Sequence, residues 1–201
     1  MKDKARLAAQ LFGTGTMSDP AVAAPAAPGT TTSRPTATHS PHHAGVPRSA
    51  EEQAKLEHAF RELFERMITF NQTLGVQVVS VDPAAPQIRF DMRPELVGHF
   101  LYDRLHGGVI SAVLDATGGF ALMCAIGEKH KDESAEQVLH RFARMGTIDL
   151  RVDFLRPGKG EHFIASARVS RLGGRIGSTQ MTLENDAGTL IATGSAAYVI
   201  S

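Results

Sequence analysis

The residue types best suited to chemistry lie together in one apolar segment, residues 106–127, HGGVISAVLDATGGFALMCAIG. Asp115 is the only acidic residue in this segment, which contains no lysine or arginine. A carboxylate in so apolar a surrounding is unfavourable unless it is paired, hydrated or used in a reaction. A helix that begins at a glycine pair and carries this carboxylate offers a base or nucleophile together with free backbone N–H groups. These are the two parts that hydrolysis of a carbonyl compound requires.

The spacing of these parts limits how they can act together. Gly107 and Gly108 directly follow His106, where the free N–H groups and the positive end of the helix dipole form an anion site that a substrate can approach closely. Asp115 follows Gly107 by eight residues, which is roughly 12 Å along a helix. Because an oxyanion donor lies about 3 Å from its oxygen, we expect the two groups of one site to come from different subunits.

Helical periodicity divides the segment into two faces. One face is apolar, and we expect it to pack against the core: Val109, Ile110, Val113, Leu114, Phe120, Ala121 and Cys124. The other face consists of small residues around the acid: Gly108, Ser111, Ala112, Asp115, Gly118 and Gly119. Each internal glycine destabilises a helix by roughly 1 kcal/mol relative to alanine. We therefore expect a ligand or another backbone, such as the helix of a second subunit, to lie close along the small-residue face.

The composition argues against several classes of protein. The net charge is zero, and without a basic patch no nucleic-acid partner is expected. The single cysteine, Cys124, excludes an internal disulfide and fits a reducing compartment. We identify neither an apolar run of the ~20 residues that span a bilayer nor the core of a signal peptide. The expectation is a cytoplasmic protein with no membrane partner.

Two parts of the chain are predicted from their composition. Residues 1–48 are rich in alanine, proline, threonine and serine, which predicts a disordered tail. Residues 49–201 are predicted to form one domain. Its first element is an amphipathic helix over residues 49–73, with Ser49 as N-cap and Glu52 completing a capping box.

After residue 75 the hydrophobic period changes from that of a helix to that of a strand. Alternation at Val76, Val78, Ile88 and Phe90 predicts two strands, followed by a loop over residues 93–105. Beyond the long helix, a charged link with a short helix is predicted, and then four further strands: residues 147–154, 162–171, 175–184 and 189–200. The order of elements implies an α+β fold, in which an antiparallel sheet of about six strands wraps around the one long central helix.

This order of elements, with LHGGVISAVLDATGGFA at the start of the long helix, resembles the hotdog-fold acyl-CoA thioesterases, in the group typified by phenylacetyl-CoA thioesterase. The resemblance covers residues 75–200. It rests on HGG with an acid nine positions after its histidine, on GTID leading into FLRP, and on residues 188–192. HGG alone is a weak signal, but HGG with the acid at this spacing and in this order of elements is fairly specific.

The resemblance implies an enzyme that hydrolyses an acyl-CoA to a carboxylic acid and coenzyme A. In the family, the acid at the position of Asp115 is the catalytic carboxylate. The N–H of the glycine at the position of Gly107 polarises the thioester carbonyl, and a hydroxyl side chain at the position of Thr147 helps to place water. Relatives often carry an asparagine shortly before HGG, where this chain has His99. Family members are oligomers with shared sites, so we expect a homodimer or homotetramer. No cofactor is expected beyond the coenzyme A of the substrate, and no metal.

Other residues complete the predicted site. His106 is a candidate catalyst, with orientation of the helix start as the alternative, and Gly108 is predicted to contact the substrate. Exposed cations in turns between strands are candidates to bind the phosphates of coenzyme A: Arg156, Lys159, Arg171 and Arg175. The alternative for each cation is a solvated surface charge, and the alternative for Thr147 is an ordinary strand residue.

Two other functions stay open from the sequence. One is an acyl-thioester dehydratase on the same fold, in which His106 and an acid would act on one substrate carbon. The other is a non-catalytic acyl-CoA binding module, in which Asp115 is structural. The fold alone does not distinguish these functions.

Overall fold

The computed structural model describes residues 46–99 and 101–201. The predicted tail, residues 1–48, lies outside the described residues except for its last three, and its disorder stays a prediction. Arg48 belongs to the folded domain. Its guanidinium donates to the carbonyl oxygens of Gly127 and His130, each at 2.6 Å, and to that of Glu133 at 3.0 Å.

The predicted N-terminal helix is present but broken. Three pieces replace it: α1 (Ala50–Glu62), a π-helical turn (Leu63–Met67) and α2 (Thr69–Leu74). Between the turn and α2, Ile68 has an extended backbone. The Ser49 hydroxyl accepts from the Glu52 N–H at 3.2 Å, as predicted. The Glu52 carboxylate, however, accepts from the N–H of Ala135 at 3.0 Å, so it ties α1 to a distant segment where a capping box was expected.

Six strands form one antiparallel sheet, which confirms the predicted fold class. They are β1 (Gln77–Ser80), β2 (Gln87–Asp91), β5 (Gly146–Phe154), β6 (His162–Leu172), β7 (Ile176–Asn185) and β8 (Leu190–Val199). Their order in the sheet is β1-β2-β6-β7-β8-β5. The strand bounds differ from the predicted ones by one or two residues, because the alternation of apolar and polar residues is clear along most of each strand.

The segment predicted as a loop, residues 93–105, contains short regular structure. A 3₁₀ turn (Pro94–Leu96) leads into a separate hairpin of β3 (Val97–His99) and β4 (Arg104–Leu105). Strands of two and three residues are too short to produce a period in the sequence. The 3₁₀ turn holds the start of the long helix, since the His106 N–H donates to the Leu96 carbonyl at 2.9 Å.

The long helix α3 (Gly107–Lys129) packs across the sheet and contacts β2, β5, β6, β7 and β8. Its predicted apolar face is buried, with Val113, Leu114 and Phe120 fully inaccessible. Small residues on the sheet allow the close approach. At Gly177, for example, the side chain of Leu122 occupies the space that a Cβ would need.

The length of α3 corrects one expectation. The helix α3 has 23 residues, and its most apolar 18-residue window has a mean hydropathy of 1.9, so α3 is long and apolar enough to cross a membrane by length and composition. The glycines and the acid that interrupt the apolar run lower its hydropathy too little to exclude a span. In the structure, 61% of its most apolar window is buried inside the domain. A helix covered in this way is the core helix of an α+β domain.

A short helix α4 (Ala135–Arg141) and a 3₁₀ turn (Phe142–Arg144) connect α3 to β5. A full capping box begins α4: the Ser134 hydroxyl accepts from the Gln137 N–H at 3.3 Å, and the Gln137 side chain accepts from the Ser134 N–H at 2.8 Å. The rings of Phe60 and Phe142 meet edge to face at 5.4 Å. This contact and others hold α1 and α4 together as a helical layer over the C-terminal half of α3.

The two edge strands of the sheet differ. β1 is covered, because the Glu65 carboxylate accepts from the Val78 N–H at 2.7 Å and the Arg61 guanidinium donates to the Val78 carbonyl. β5 has no strand on its outer side within the described residues. Its apolar side chains Ile148 and Phe154 are 51% and 55% exposed.

Candidate active site

Asp115 and Thr147 meet where the middle of α3 passes the start of β5. The Thr147 hydroxyl donates to Asp115 Oδ1 at 2.9 Å. Asp115 is half-buried and Thr147 is exposed, so water reaches the pair. The structure thus brings together two of the predicted site residues, which are 32 positions apart in the chain.

A β-bulge in β5 orients the Thr147 side chain. Leu150 and Val152 are half-buried against the core, so strict alternation would turn Ile148 toward α3 and Thr147 away from it. The pairing of β5 with β8 shifts between Thr147 and Asp149, which inserts one extra residue. Past this bulge the side chains change face, and Thr147 points at the helix.

Tyr198 supports both members of the pair. Its hydroxyl donates to the backbone carbonyl of Asp115 at 2.8 Å, and its backbone lies opposite Thr147 across β8 and β5. The side chain is buried, and it occupies the space that a Cβ on Gly118 would need. Burial, assisted by the nearby charge of Asp115, raises the pKa of Tyr198. Tyr198 therefore keeps its proton and stays a hydrogen-bond donor.

The pair lines a pocket of about 490 Å³, a volume typical of small-molecule sites. Two further polar residues, Asn71 and Tyr198, line it. The other lining residues are apolar or small: Leu63, Phe64, Ile68, Phe70, Ala112, Ala116, Gly119, Met123, Phe142, Ala143, Met145 and Gly146. The small-residue face of α3 therefore has two parts. Its part around Asp115 and Gly119 lines this pocket, whereas Gly108 is exposed.

The start of α3 forms a separate feature. His106 is the N-cap of the helix, and its Nδ1 accepts from the Gly108 N–H at 2.9 Å. This contact is of the kind expected for a residue that orients the helix start, which was the predicted alternative to catalysis. Gly107 lines a second pocket of about 400 Å³, together with Arg104, Phe154 and other residues. Within one chain, Gly107 and Asp115 thus line different pockets.

The remaining predicted site residues lie apart from the Asp115 pocket. His99 lies in β3, where its ring is 4.7 Å from that of Tyr102, and it lines neither pocket. Arg156 lines the Gly107 pocket and donates to the Leu190 carbonyl at 3.0 Å. Lys159 is exposed three residues further along.

Arg171 and Arg175 are exposed beside the turn between β6 and β7. Ile176, which follows Arg175, pairs with Val199 of β8, and Val199 pairs with Gly146 of β5. Because Gly146 directly precedes Thr147, both arginines lie at the end of the sheet that is near Asp115. Among the described residues, no group of three or more His, Cys, Asp or Glu side chains is placed to hold a metal ion.

Sequence reasoning missed two parts of the site. One is Tyr198, a tyrosine at a core-facing strand position. The other is the wall of the pocket formed by residues 63–71, which lie in a helix interpreted as packing on the edge of the domain. A signal for the second was present in Asn71, a polar residue close to the apolar positions of that helix. Asn71 is 4% exposed, and its side-chain amide donates to the Phe64 carbonyl at 2.9 Å.

Fold and site together define a class of protein. A six-stranded antiparallel sheet surrounds one long helix, and an acid on that helix meets a strand hydroxyl at an apolar pocket. The model of the thioesterase superfamily matches residues 102–192. The chain belongs to this superfamily, which confirms the resemblance to the hotdog-fold thioesterases and the expected class of thioester hydrolase.

Particular relatives agree with this assignment. The medium/long-chain acyl-CoA thioesterase YigI of Salmonella typhimurium is 35% identical over 152 residues, which cover 76% of this chain and 96% of the relative. A Shewanella oneidensis protein related to the thioesterase superfamily is 33% identical, with a TM-score of 0.71 over 77% of this chain and all of that chain. Mouse thioesterase superfamily member 2, at 23% identity and a TM-score of 0.57 over 77% of this chain and all of that chain, shares the fold.

Proposed function

We propose that this protein is an acyl-CoA thioesterase, which hydrolyses an acyl-CoA to a free carboxylic acid and coenzyme A. The observation that carries the proposal is the hydrogen-bonded pair of Asp115 and Thr147 at the wall of an apolar pocket. A carboxylate in this position meets both water and an acyl chain. The similarity to the Salmonella medium/long-chain acyl-CoA thioesterase supports substrates with a medium or long acyl chain.

Asp115 acts as the base or as the nucleophile. As a base, it takes a proton from water while the water oxygen attacks the carbonyl carbon. As a nucleophile, its own oxygen attacks, and water then hydrolyses the resulting anhydride. In both cases the carbon–sulfur bond breaks and coenzyme A leaves as a thiolate that takes up a proton. Thr147, which donates to Asp115 in the free enzyme, orients the carboxylate or the water.

The backbone N–H of Gly107 is the proposed oxyanion donor. Gly107 is the first residue of α3, at the positive end of the helix dipole. The next N–H, that of Gly108, already donates to His106, which favours Gly107 as the group that stays available for the substrate.

A shared site follows from the length of α3 between these groups. Gly107 and Asp115 belong to one continuous helix, so eight residues separate them by roughly 12 Å along the axis. They also line different pockets. One carbonyl can therefore receive both groups only if they come from two subunits.

The exposed edge of β5 offers the route to such a dimer. In an antiparallel pair of two β5 strands centred on Leu150, Gly146 of one chain lies opposite the partner's Phe154. Phe154 lies against Gly107, since a Cβ at Gly107 would be 3.4 Å from the Phe154 ring. A two-fold axis at the middle of β5 therefore brings the Gly107 end of one subunit toward the Asp115 and Thr147 of the other.

The nucleotide end of the substrate needs cations. Arg104 and Arg156 line the Gly107 pocket, and in the proposed dimer this pocket approaches the other subunit's Arg171 and Arg175. We propose that Arg156, Lys159, Arg171 and Arg175 contribute to binding of the coenzyme A phosphates, and that Arg104, which the sequence analysis did not select, joins them.

Asp115→Asn tests the reaction. We expect kcat to fall by about 10²–10⁴-fold, the range that a general base contributes, while a non-hydrolysable thioether analogue of acyl-CoA binds unchanged. Asp91→Asn, at an exposed strand residue, is the matched control and should leave both values unchanged. Full hydrolysis by Asp115→Asn would contradict the proposal, and water loss from a 3-hydroxyacyl-CoA would favour the dehydratase.

A mixture of two inactive variants tests the shared site. One is Asp115→Asn, and the other is Gly107→Leu, whose side chain obstructs the N–H. Each heterodimer receives one intact site, so random exchange should restore about a quarter of wild-type activity at most. Folding and subunit exchange are checked by circular dichroism and by mass spectrometry of labelled subunits. Exchanged, folded heterodimers without activity would contradict the shared site.

A further inference from the structure

The pocket beside Asp115 begins at Ala112 and extends along α3 mainly toward the C-terminal end of the helix. Asp115, Gly119 and Met123 are spaced four residues apart and follow one another on one face of the helix. All three line the pocket. The eight residues from Asp115 to Met123 correspond to roughly 12 Å along the axis.

Small side chains leave this path open. Ala116 and Gly119 lie between the carboxylate and Met123. A Cβ on Gly119 would meet Tyr198 at 3.8 Å and Met145 at 4.0 Å, which is ordinary van der Waals contact. Met123 is only 5% exposed and is the last residue of α3 that lines the pocket.

The opposite wall is formed by the broken N-terminal helix. The π-helical turn and the extended Ile68 separate a buried part, which includes Phe64 at 3% exposure, from an exposed part, in which Phe70 is 58% exposed. Asn71 holds the break, because its amide donates to the Phe64 carbonyl at 2.9 Å. π-Helical turns of this kind are frequent at functional sites. The wall is therefore sealed at its inner part and apolar at its rim, as a site for an apolar chain would be.

We propose that this channel, between residues 115–123 of α3 and residues 63–71, determines the length of the acyl chain that the enzyme accepts, with Met123 as its far wall. The inference rests on the proposed function, because the thioester carbonyl has to lie at Asp115. An extended carbon chain advances roughly 1.2 Å per bond, as the ~3.6 Å of three backbone bonds indicates. A channel of roughly 12 Å therefore holds a linear acyl group of about ten carbons.

The profile of activity against chain length is the direct readout. The experiment uses the full chain and straight-chain acyl-CoA esters from four to sixteen carbons. Each methylene inside the channel leaves water, which should raise kcat/KM by about fourfold. We expect this rise to stop near ten carbons in the wild type.

Two variants should change, in opposite directions, the acyl-chain length at which kcat/KM stops rising. Met123→Ala should extend the rise by about two to three carbons, the length of the removed side chain. Gly119→Leu closes the channel one helical turn from Asp115, roughly 6 Å, and should stop the rise near five or six carbons. Leucine is a better helix former than glycine, so Gly119→Leu keeps the test available even if Met123→Ala folds poorly.

Met181→Ala is the matched control. Met181 is a methionine as buried as Met123, at 2% exposure, but it lies in β7 and does not line the pocket. It should leave the profile unchanged. Profiles that coincide for wild type, Met123→Ala and Gly119→Leu, or a profile that Met181→Ala shifts equally, would overturn the channel while leaving the thioesterase intact. A wild type that hydrolyses no acyl-CoA would instead overturn the proposed function.

Discussion

The two edges of the sheet differ in the way that their hydrogen-bonding groups are satisfied. At β1, side chains of the N-terminal helical layer cover the edge: Glu65 accepts from the Val78 N–H and Arg61 donates to its carbonyl. At β5, a strand of nine residues has no strand beyond it within the described residues, and Ile148 and Phe154 are more than half exposed. Unpaired edges of this length favour pairing with another chain, and proteins that avoid such pairing protect them. The comparison indicates that side chains of the same chain cover β1, whereas β5 keeps an open edge, which the proposed dimer would use.

The largest effect is expected when charge is placed on the open edge at β5, because this should remove the difference between the two edges. Ile148→Lys, at an exposed residue of β5, combined with Leu155→Lys, at the exposed residue that directly follows β5, should prevent pairing of two β5 strands. We expect a monomer by analytical ultracentrifugation and a kcat/KM at least about 100-fold lower, the loss typical of a missing oxyanion donor.

The matched control is Val79→Lys, at a residue of β1 that is 46% exposed. It should leave assembly and activity unchanged. Activity of the double variant should recover at high protein concentration if the defect lies in association. A monomeric double variant with full activity would show that one chain holds a complete site.

Tyr198→Phe separates positioning from packing on the β5 side. The change removes the hydrogen bond to the Asp115 carbonyl and keeps the ring, so Asp115 loses alignment while the core stays filled. We expect kcat to fall by about tenfold with little change in KM, which corresponds to about 1.4 kcal/mol. Steady-state kinetics on one acyl-CoA measures both values.

Tyr102→Phe serves as the control, because Tyr102, the other tyrosine of the chain, is 55% exposed. If Tyr198→Phe lowered the melting temperature but left kcat unchanged, Tyr198 would be a packing residue only.

The covered edge predicts a loss of stability without a loss of activity, because Glu65 bonds to β1 and does not itself line the Asp115 pocket. Glu65→Ala leaves the buried Val78 N–H without its acceptor, which should lower the free energy of unfolding by about 1–3 kcal/mol. Glu51→Ala, whose exposed carboxylate pairs with Lys55, should change stability by less than ~0.5 kcal/mol. Urea denaturation of both variants checks the difference, and equal stability of the two would refute protection by Glu65.

The buried thiol of Cys124 predicts how the stability of the protein depends on pH. Burial raises the pKa of its thiol to about 12, above that of an unfolded thiol, so its contribution is complete below about pH 9 and is lost as the pH rises toward 12. Between pH 8 and 10 the wild type should lose roughly 1 kcal/mol more stability than Cys124→Ala. Thermal unfolding across this range measures the difference, and parallel curves would mean that water reaches the thiol.

The sequence predicts the elements of the core better than the details of the site. The two faces of α3 and the alternation in β6 to β8 follow from side-chain burial, which leaves a strong period in the sequence. Asp115 was identified as the lone acid of an apolar segment and Thr147 through the resemblance, and the structure places them in contact.

The features that sequence reasoning missed arise from contacts between distant segments. The carbonyl that Tyr198 contacts is 83 residues away, and Asn71 stabilises a break inside a helix whose apolar spacing looks continuous. A one-residue bulge leaves almost no trace in composition, so the orientation of Thr147 was also beyond prediction. Backbone acceptors carry no sequence signal, which is why these contacts required coordinates.

The bulge in β5 has a consequence for how this strand tolerates changes in length. Residues after Ile148 follow the alternation that the core requires, while Thr147 follows the opposite one. Deletion of Ile148 would make Thr147 the direct neighbour of Asp149 in a regular strand, still opposite Tyr198, so its hydroxyl would continue to face Asp115. Insertion of one more residue at the bulge would instead turn the hydroxyl away. Position 148 is thus a place where β5 can become shorter, but not longer, and keep Thr147 beside Asp115.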